Sequence, residues 1–379
     1  MEVPIIPVTT HPTSSARPLT VAMVAPPWYP MPPVGYGGIE LVVSLLARGL
    51  RARGHRVILF GAEDSRDAVV GLGSKDWRLD LGSVHTQGLR DVTYAARVMR
   101  YMLEHAGPID VIHDHSGLSA VAGAHALDLA PVVHTVHGPV TEALASAIQS
   151  LGTAASLIGI SHSQLAPAPW LPWTGVVHNA VDIDALEFLP ARERDRYLLV
   201  LARICPDKGQ HHAIEVARRA GFRLILAGKV DPGSEAYFDE EIKPHLDGEF
   251  VTWVENVGGA DKARLLAHAT ALLAPITWPE PFGLSMVEAM VSGTPTIAFR
   301  QGSAPELIDD GRTGFVVDTI DDMVDAVRNI SLIDPARCSL FARNRFSPDV
   351  MVEEYLRMYA RVLDRHALQP AEAVAYITA

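Results

Sequence analysis

The segment from Leu19 to Phe60 constrains the fold more than any other part of this chain. It opens with an apolar run, Leu19 to Ala25, short enough to be a buried strand. A proline- and glycine-rich loop, PPWYPMPPVGYGG, follows from Pro26 to Gly38. Ile39, Val42, Val43, Leu46 and Leu50 then recur at helical spacing, and Gly54 stands where a helix stops. Val57 to Phe60 is a second apolar run. Strand, glycine loop, helix and strand make a βαβ unit, which commits this half of the chain to a parallel sheet.

The alternation continues. Ile109–Ile112, Val132–Val136 and Leu157–Ile160 read as strands, and a charged stretch from Leu189 to Arg196 (LPARERDR) then breaks the pattern. It restarts with strands at Tyr197–Ala202, Leu224–Ala227, Val251–Val254, Ala271–Ala274, Thr296–Phe299 and Phe315–Val317. Helices are expected from His211, over Asp261–His268 and over Ser285–Ser292. Ser347 and Pro348 read as the N-cap and first residue of a long final helix reaching about His366. A chain of 379 residues exceeds what one core usually serves. The expectation is an α/β protein of two Rossmann-like, doubly wound domains facing one another across a cleft. In this reading 1–18 is a disordered tail, 19–188 the first domain and 189–363 the second. The end of the last helix, about 364–379, packs back onto the first.

Composition excludes some partners. A formal net charge of −12 disfavours an extended nucleic-acid surface, which needs a basic face. The local basic cluster Arg48, Arg51, Arg53 and Arg56 closes a helix, where cations meet the negative dipole end; a peripheral membrane patch is the competing reading. Cys205 and Cys338 lie far apart and outside any metal or redox spacing, which argues for a reducing compartment. The first eighteen residues lack the apolar core of a signal peptide, and no apolar run reaches membrane-spanning length. A cytoplasmic protein is expected.

Four features fall at carboxyl ends of strands, where open α/β sheets bind ligands. The loop ending in Gly35, Tyr36, Gly37 and Gly38 lets backbone approach an anion at a helix start; a tight turn with no ligand is the alternative. Arg203 and Lys208 sit five residues apart in LARICPDKGQ, where both can reach a diphosphate; taken alone, such a pair reads first as two solvated charges. The strongest is WPEPFGLSMVEAMVSGTP, Trp278 to Pro295. Glu280 precedes its helix and Glu288 lies about one turn inside, while Gly283, Leu284 and Ser285 open it. Carboxylates suit sugar hydroxyls and an open helix end suits phosphate, so the segment points to a ligand carrying both; two acids that simply stabilise the helix start are the competing reading. Fourth are the histidines of VIHDHSG (His113, His115) and VVHTVHG (His134, His137). His137, beside Gly138, is the candidate to bond substrate; His134 reads as a satisfied core residue, and His113 and His115 as more remote acceptor contacts.

Two patterns mislead. Glu63 after the second strand imitates the ribose-binding acid of a nicotinamide dehydrogenase, but the loop is not GxGxxG. Asp182 and Asp184 have the DxD form of a metal site, yet two acids supply few of the oxygens such a cation needs.

Taken together, the GGIE loop, HTVHG, HNAVD, Arg203-x4-Lys208 and EPFGLSMVEAM followed by SGTP resemble the retaining glycosyltransferases of family 4, with the GT-B fold. The resemblance runs from about Leu19 to the final helix. It implies transfer of a sugar from a nucleotide sugar, UDP-linked by default, to an acceptor hydroxyl of open identity. By that resemblance Arg203 and Lys208 hold the diphosphate, and Gly37 and Gly38 approach it from the other domain. Gly283, Leu284 and Ser285 contact phosphate and sugar, Glu280 the sugar hydroxyls and Glu288 the ribose. Gly228, Asn256 and Val257 wall the nucleobase, and His137 meets the transferred sugar. No metal and no cofactor beyond the nucleotide sugar is called for, no nucleic-acid partner is expected, and membrane contact is at most peripheral. Two other readings stay open: rearrangement or hydrolysis of the sugar nucleotide, and nucleotide binding without catalysis.

Overall fold

The computed structural model describes residues 17–35, 37–67, 69–81, 83–152 and 155–368. The expected tail, Tyr36 and most of the 364–379 segment lie wholly or largely outside them. Among the described residues thirteen strands form two sheets in which every pairing is parallel. The first contains β1 (Thr20–Val24), β2 (Arg56–Ala62), β3 (Val69–Gly73), β4 (Val111–Asp114), β5 (Val132–Thr135), β6 (Ser156–Gly159) and β7 (Trp173–Val176), in the order β3-β2-β1-β4-β5-β6-β7. The second contains β8 (Tyr197–Leu201), β9 (Arg223–Ala227), β10 (Val251–Val254), β11 (Ala271–Ala274), β12 (Thr296–Phe299) and β13 (Gly314–Val317), ordered β10-β9-β8-β11-β12-β13. Each order reverses direction once, between β1 and β4 and between β8 and β11. Loops leaving neighbouring strands there diverge to opposite faces and open a crevice.

The expected central strands are all present because parallel strands buried on both faces are continuous apolar runs, as Val21–Val24 is. Among the elements left unassigned by the sequence reading are the edge strands β3 and β7, only partly buried and without clean alternation, and the helix Val84–His105. That helix lays Tyr94, Val98, Met99 and Met102 on one face of the first sheet. The helix Gly38–Ala52 covers the other with Val42, Val43, Leu46 and Leu50.

Beside it, in the same core, lies the final helix, Pro348–Leu368, through Met351, Val352, Tyr355, Met358, Tyr359 and Val362. The return to the first sheet therefore begins at Pro348, not near 364. The outward crossing also comes early: Ala180 packs in the first core and Val181 in the second, ahead of the 189–196 stretch. That stretch is pinned to the second unit, since Arg194 donates to the carbonyls of Ala269 (3.1 Å) and Ser292 (2.7 Å). A half-buried guanidinium needs such partners, which is why a charged run here is not a free linker.

Arg53 pairs with Asp349 (2.9 Å) and Glu353 (3.0 Å), which fastens the final helix to the first half, and Arg48 pairs with Asp182 (3.6 Å), so acids on later segments meet two members of the basic cluster. Glu306 of the second half accepts the backbone N–H groups of His162 (2.8 Å) and Ser163 (2.5 Å) in the first.

Candidate functional site

Three helices start at glycine on the crevice: Gly38–Ala52 behind Gly37, Gly259–His268 behind Gly258, and Leu284–Val291 behind Gly283. None has a side-chain cap, so their first N–H groups keep their bonding capacity and their dipoles stay positive at these ends. Gly283 has φ +91, and a Cβ there would stand 2.3 Å from the Met286 methyl; only glycine fits without strain. The walls touch across the crevice. A Cβ on Gly38 would meet Leu284 Cδ1 at 2.9 Å, and one on Gly258 would meet Gly35 Cα at 2.8 Å.

Between them lies a cavity of about 810 Å³, within the range of small-molecule sites. Of the residues expected from sequence, Gly37 and Gly38 line it from the first half. Arg203, Gly228, Asn256, Val257, Leu284, Ser285 and Glu288 line it from the second. Lys208 and Glu280 form an ion pair beside it, and Lys208 Nζ sits 5.3 Å from the centre of the Trp278 ring. Gly283 borders that pair, its Cβ position 3.7 Å from Glu280 Cγ. His137 is not on the cavity wall; it lies in the loop that leaves β5 of the first sheet.

The cations of the site are held by carboxylates. Arg203 is ion-paired with Asp231, and Lys262 reaches the buried Glu288 at 2.6 Å. Lys262, Lys229 and Asp231 were missed by sequence reasoning. Lys262 carried a signal, because a lysine in the first turn of a helix opposes the dipole and calls for a nearby acid.

Beneath the ends of β4 and β5 runs a chain of polar groups. His113 is fully buried, with Nδ1 2.7 Å from the Tyr359 hydroxyl and Nε2 2.8 Å from that of Thr135, which in turn meets Tyr355 at 3.1 Å. Both ring nitrogens are thus spent, and His113 is a core group, not an acceptor contact. His134 is buried and bonded to Asp114 (2.6 Å), as a satisfied core residue should be. His115 Nδ1 lies 2.9 Å from His137 Nε2. Burial, reinforced by neighbouring histidines, keeps His113 and His115 well below the ordinary imidazole pKa and holds His137 down to about 3. These rings are neutral at physiological pH.

The misleading patterns have structural roles. Glu63 accepts from Lys75 N–H (3.0 Å) in the turn after β3, away from the cavity. Asp182 pairs with Arg48, and among the described residues no group of three or more His, Cys, Asp or Glu is arranged to hold a metal. No helix among them is long and apolar enough to cross a membrane.

Residues 37–175 match the family model of a glycosyl transferase 4-like domain, and residues 183–344 that of glycosyl transferases group 1. Glycogen synthase of Mycobacterium tuberculosis is 26% identical over 377 residues, spanning 84% of this chain and 88% of its own. Phosphatidyl-myo-inositol mannosyltransferase of Mycobacterium leprae is 26% identical over 378 residues, spanning 91% and 97%. Among solved structures, a glycosyltransferase involved in avilamycin A biosynthesis superposes with a TM-score of 0.69 at 26% identity, covering 92% of this chain and 99% of that one. An Anabaena protein solved with UDP-glucose shares the fold, with a TM-score of 0.71, 18% identity and coverage of 90% and 100%.

Proposed function

Because this chain belongs to the group 1, family 4-like glycosyl transferases, and is a nucleotide-sugar-dependent enzyme of GT-B architecture, we propose that it is a retaining transferase moving a sugar from a UDP-sugar to an acceptor hydroxyl. One observation carries the reading: three uncapped helix starts and Arg203 converge on a single cavity whose floor holds a buried carboxylate, Glu288. That set suits a diphosphate flanked by hydroxyl-bearing rings. The bound UDP-glucose of the Anabaena neighbour supports uridine as the base.

In this reading Gly228, Asn256 and Val257 wall the base, and Glu288, oriented by Lys262, accepts from the ribose hydroxyls. The diphosphate lies between Gly37–Gly38 and the N–H groups of Gly283, Leu284 and Ser285. Arg203 and Lys208 turn toward it from Asp231 and Glu280, carboxylates that hold the cations in place beforehand. Glu280 then takes the hydroxyls of the sugar, and His137 contacts it from the first domain.

Breaking the anomeric C–O bond leaves an oxocarbenium-like sugar and transfers negative charge to the diphosphate. Arg203, Lys208 and the helix starts stabilise that charge where it develops. The acceptor oxygen enters on the face the phosphate leaves. A phosphate oxygen takes its proton, so no nucleophile from the protein is needed. Approach of the two domains excludes water that would otherwise consume the donor.

The test is a thermal-shift series with UDP-, GDP- and ADP-sugars, followed by turnover with an acceptor panel and proton NMR of the product anomer. Stabilisation by a UDP-sugar and a product of unchanged anomeric configuration are expected. Inversion, or loss of donor at the same rate without acceptor, overturns the proposal.

A further inference from the structure

We propose that His115 is a positioning residue: it fixes the proton of His137 on Nδ1, so that His137 presents an N–H to the oxygen of the sugar being transferred. The proposal rests on the reading above that His137 meets that sugar.

The argument begins with a shared hydrogen. His115 Nδ1 and His137 Nε2 are 2.9 Å apart, so one of them carries the proton and the other accepts it. His115 Nε2 is buried and has no hydrogen-bond partner among the described residues. If His137 were the donor, neutral His115 would carry its own proton on Nε2, leaving a buried N–H with no acceptor. If His115 is the donor, Nε2 is only an unfilled lone pair. Buried orphan N–H groups are the rarer and costlier of the two. His115 therefore donates from Nδ1, and neutral His137, its Nε2 lone pair engaged, holds its proton on Nδ1.

The His115 ring is itself held. Its centre lies 3.9 Å from that of the tilted His113 ring, whose two nitrogens are tied to Tyr359 and Thr135, and the Tyr355 ring meets it edge-on at 6.5 Å. Asp114 and His134, the other titratable groups beside it, bond one another. His137 is only half buried, and its Nδ1 is not among the enclosed unpartnered atoms. A neutral donor there bonds a sugar oxygen without placing a cation beside the positive anomeric centre.

The experiment uses full-length protein with 15N-labelled histidine and long-range 15N–1H spectra at pH 7.5, paired with steady-state kinetics. Wild type is expected to show His137 as the Nδ1–H form. His115→Phe keeps the ring but removes the donor: the Nε2–H form of His137 appears, and kcat falls about tenfold or more with donor KM little changed. His115→Asn, whose amide nitrogen replaces Nδ1, restores both the tautomer and most of kcat. Finding the Nε2–H form in wild type, or an unchanged tautomer in His115→Phe, overturns the inference. Normal turnover by His137→Ala with the tautomers behaving as expected instead removes the sugar contact, while the histidine pairing stands.

Discussion

Lys262 Nζ lies 2.6 Å from Glu288 Oε1, and this ion pair joins the first turn of one helix to the middle of another on the cavity floor. Glu288 is buried, so Lys262 is the partner that offsets its loss of water. Lys262→Ala is expected to destabilise the protein by about 1–3 kcal/mol and to raise donor KM, because it strands a buried carboxylate. Adding Glu288→Gln should recover much of the stability but none of the donor affinity. Chemical denaturation of the single and double variants, together with donor titration, checks both halves.

In the proposed mechanism Arg203→Ala and Lys208→Ala remove charge that acts on the leaving diphosphate. Each is expected to lower kcat/KM by roughly 10²–10³-fold, the scale seen when one donor to a developing anion is lost. Initial rates with donor varied at saturating acceptor measure this. Near-normal rates in both variants are incompatible with the assigned leaving-group role.

Gly283→Ala tests the open helix mouth. The added methyl must adopt φ near +91 and lies 2.3 Å from the Met286 side chain, which costs about 1–3 kcal/mol in strain. The turn that presents the Leu284 and Ser285 N–H groups should shift with it. A lower melting temperature and a smaller stabilisation by UDP are the expected outcome; Gly221→Ala, at a helix end away from the cavity with open space around it, serves as the control for backbone strain alone.

Glu40, in the first turn behind Gly37, is buried, and its carboxyl is pushed up to about 7 by desolvation, opposed by backbone N–H groups including that of Tyr29. An acid raised on folding holds its proton in the native state while the unfolded chain has released it. Between roughly pH 4.5 and 7 the unfolded state therefore binds fewer protons, and this group's contribution to stability falls as pH rises. Glu40→Gln should gain on wild type progressively from pH 5 to pH 8. Melting curves across that range decide it: a pH-independent difference between the two proteins rules out the raised pKa.

The two sheets were legible because their central strands are apolar runs between glycine-rich turns, a pattern set by local chemistry. The helix opening at Gly283 was legible for the same reason, since a glycine between two acids at the head of an apolar run is a local pattern. Edge strands β3 and β7 were not legible, since half-buried strands need no distinctive composition. Nor was the partner of Lys262 or the bond between His115 and His137, which join residues 26 and 22 positions apart.

What the sequence alone determined is therefore the alternation of elements, the parallel sheets and the residue types gathered at strand ends. Spacing along a chain encodes which face or end a side chain occupies. Tertiary structure decided where the chain changes core, at Ala180–Val181 and again at Pro348, and which charges neutralise one another. It also brought Gly38 against Leu284. Those outcomes depend on how two separately wound sheets face each other, a geometry in which residues hundreds of positions apart become neighbours and no local pattern records the pairing.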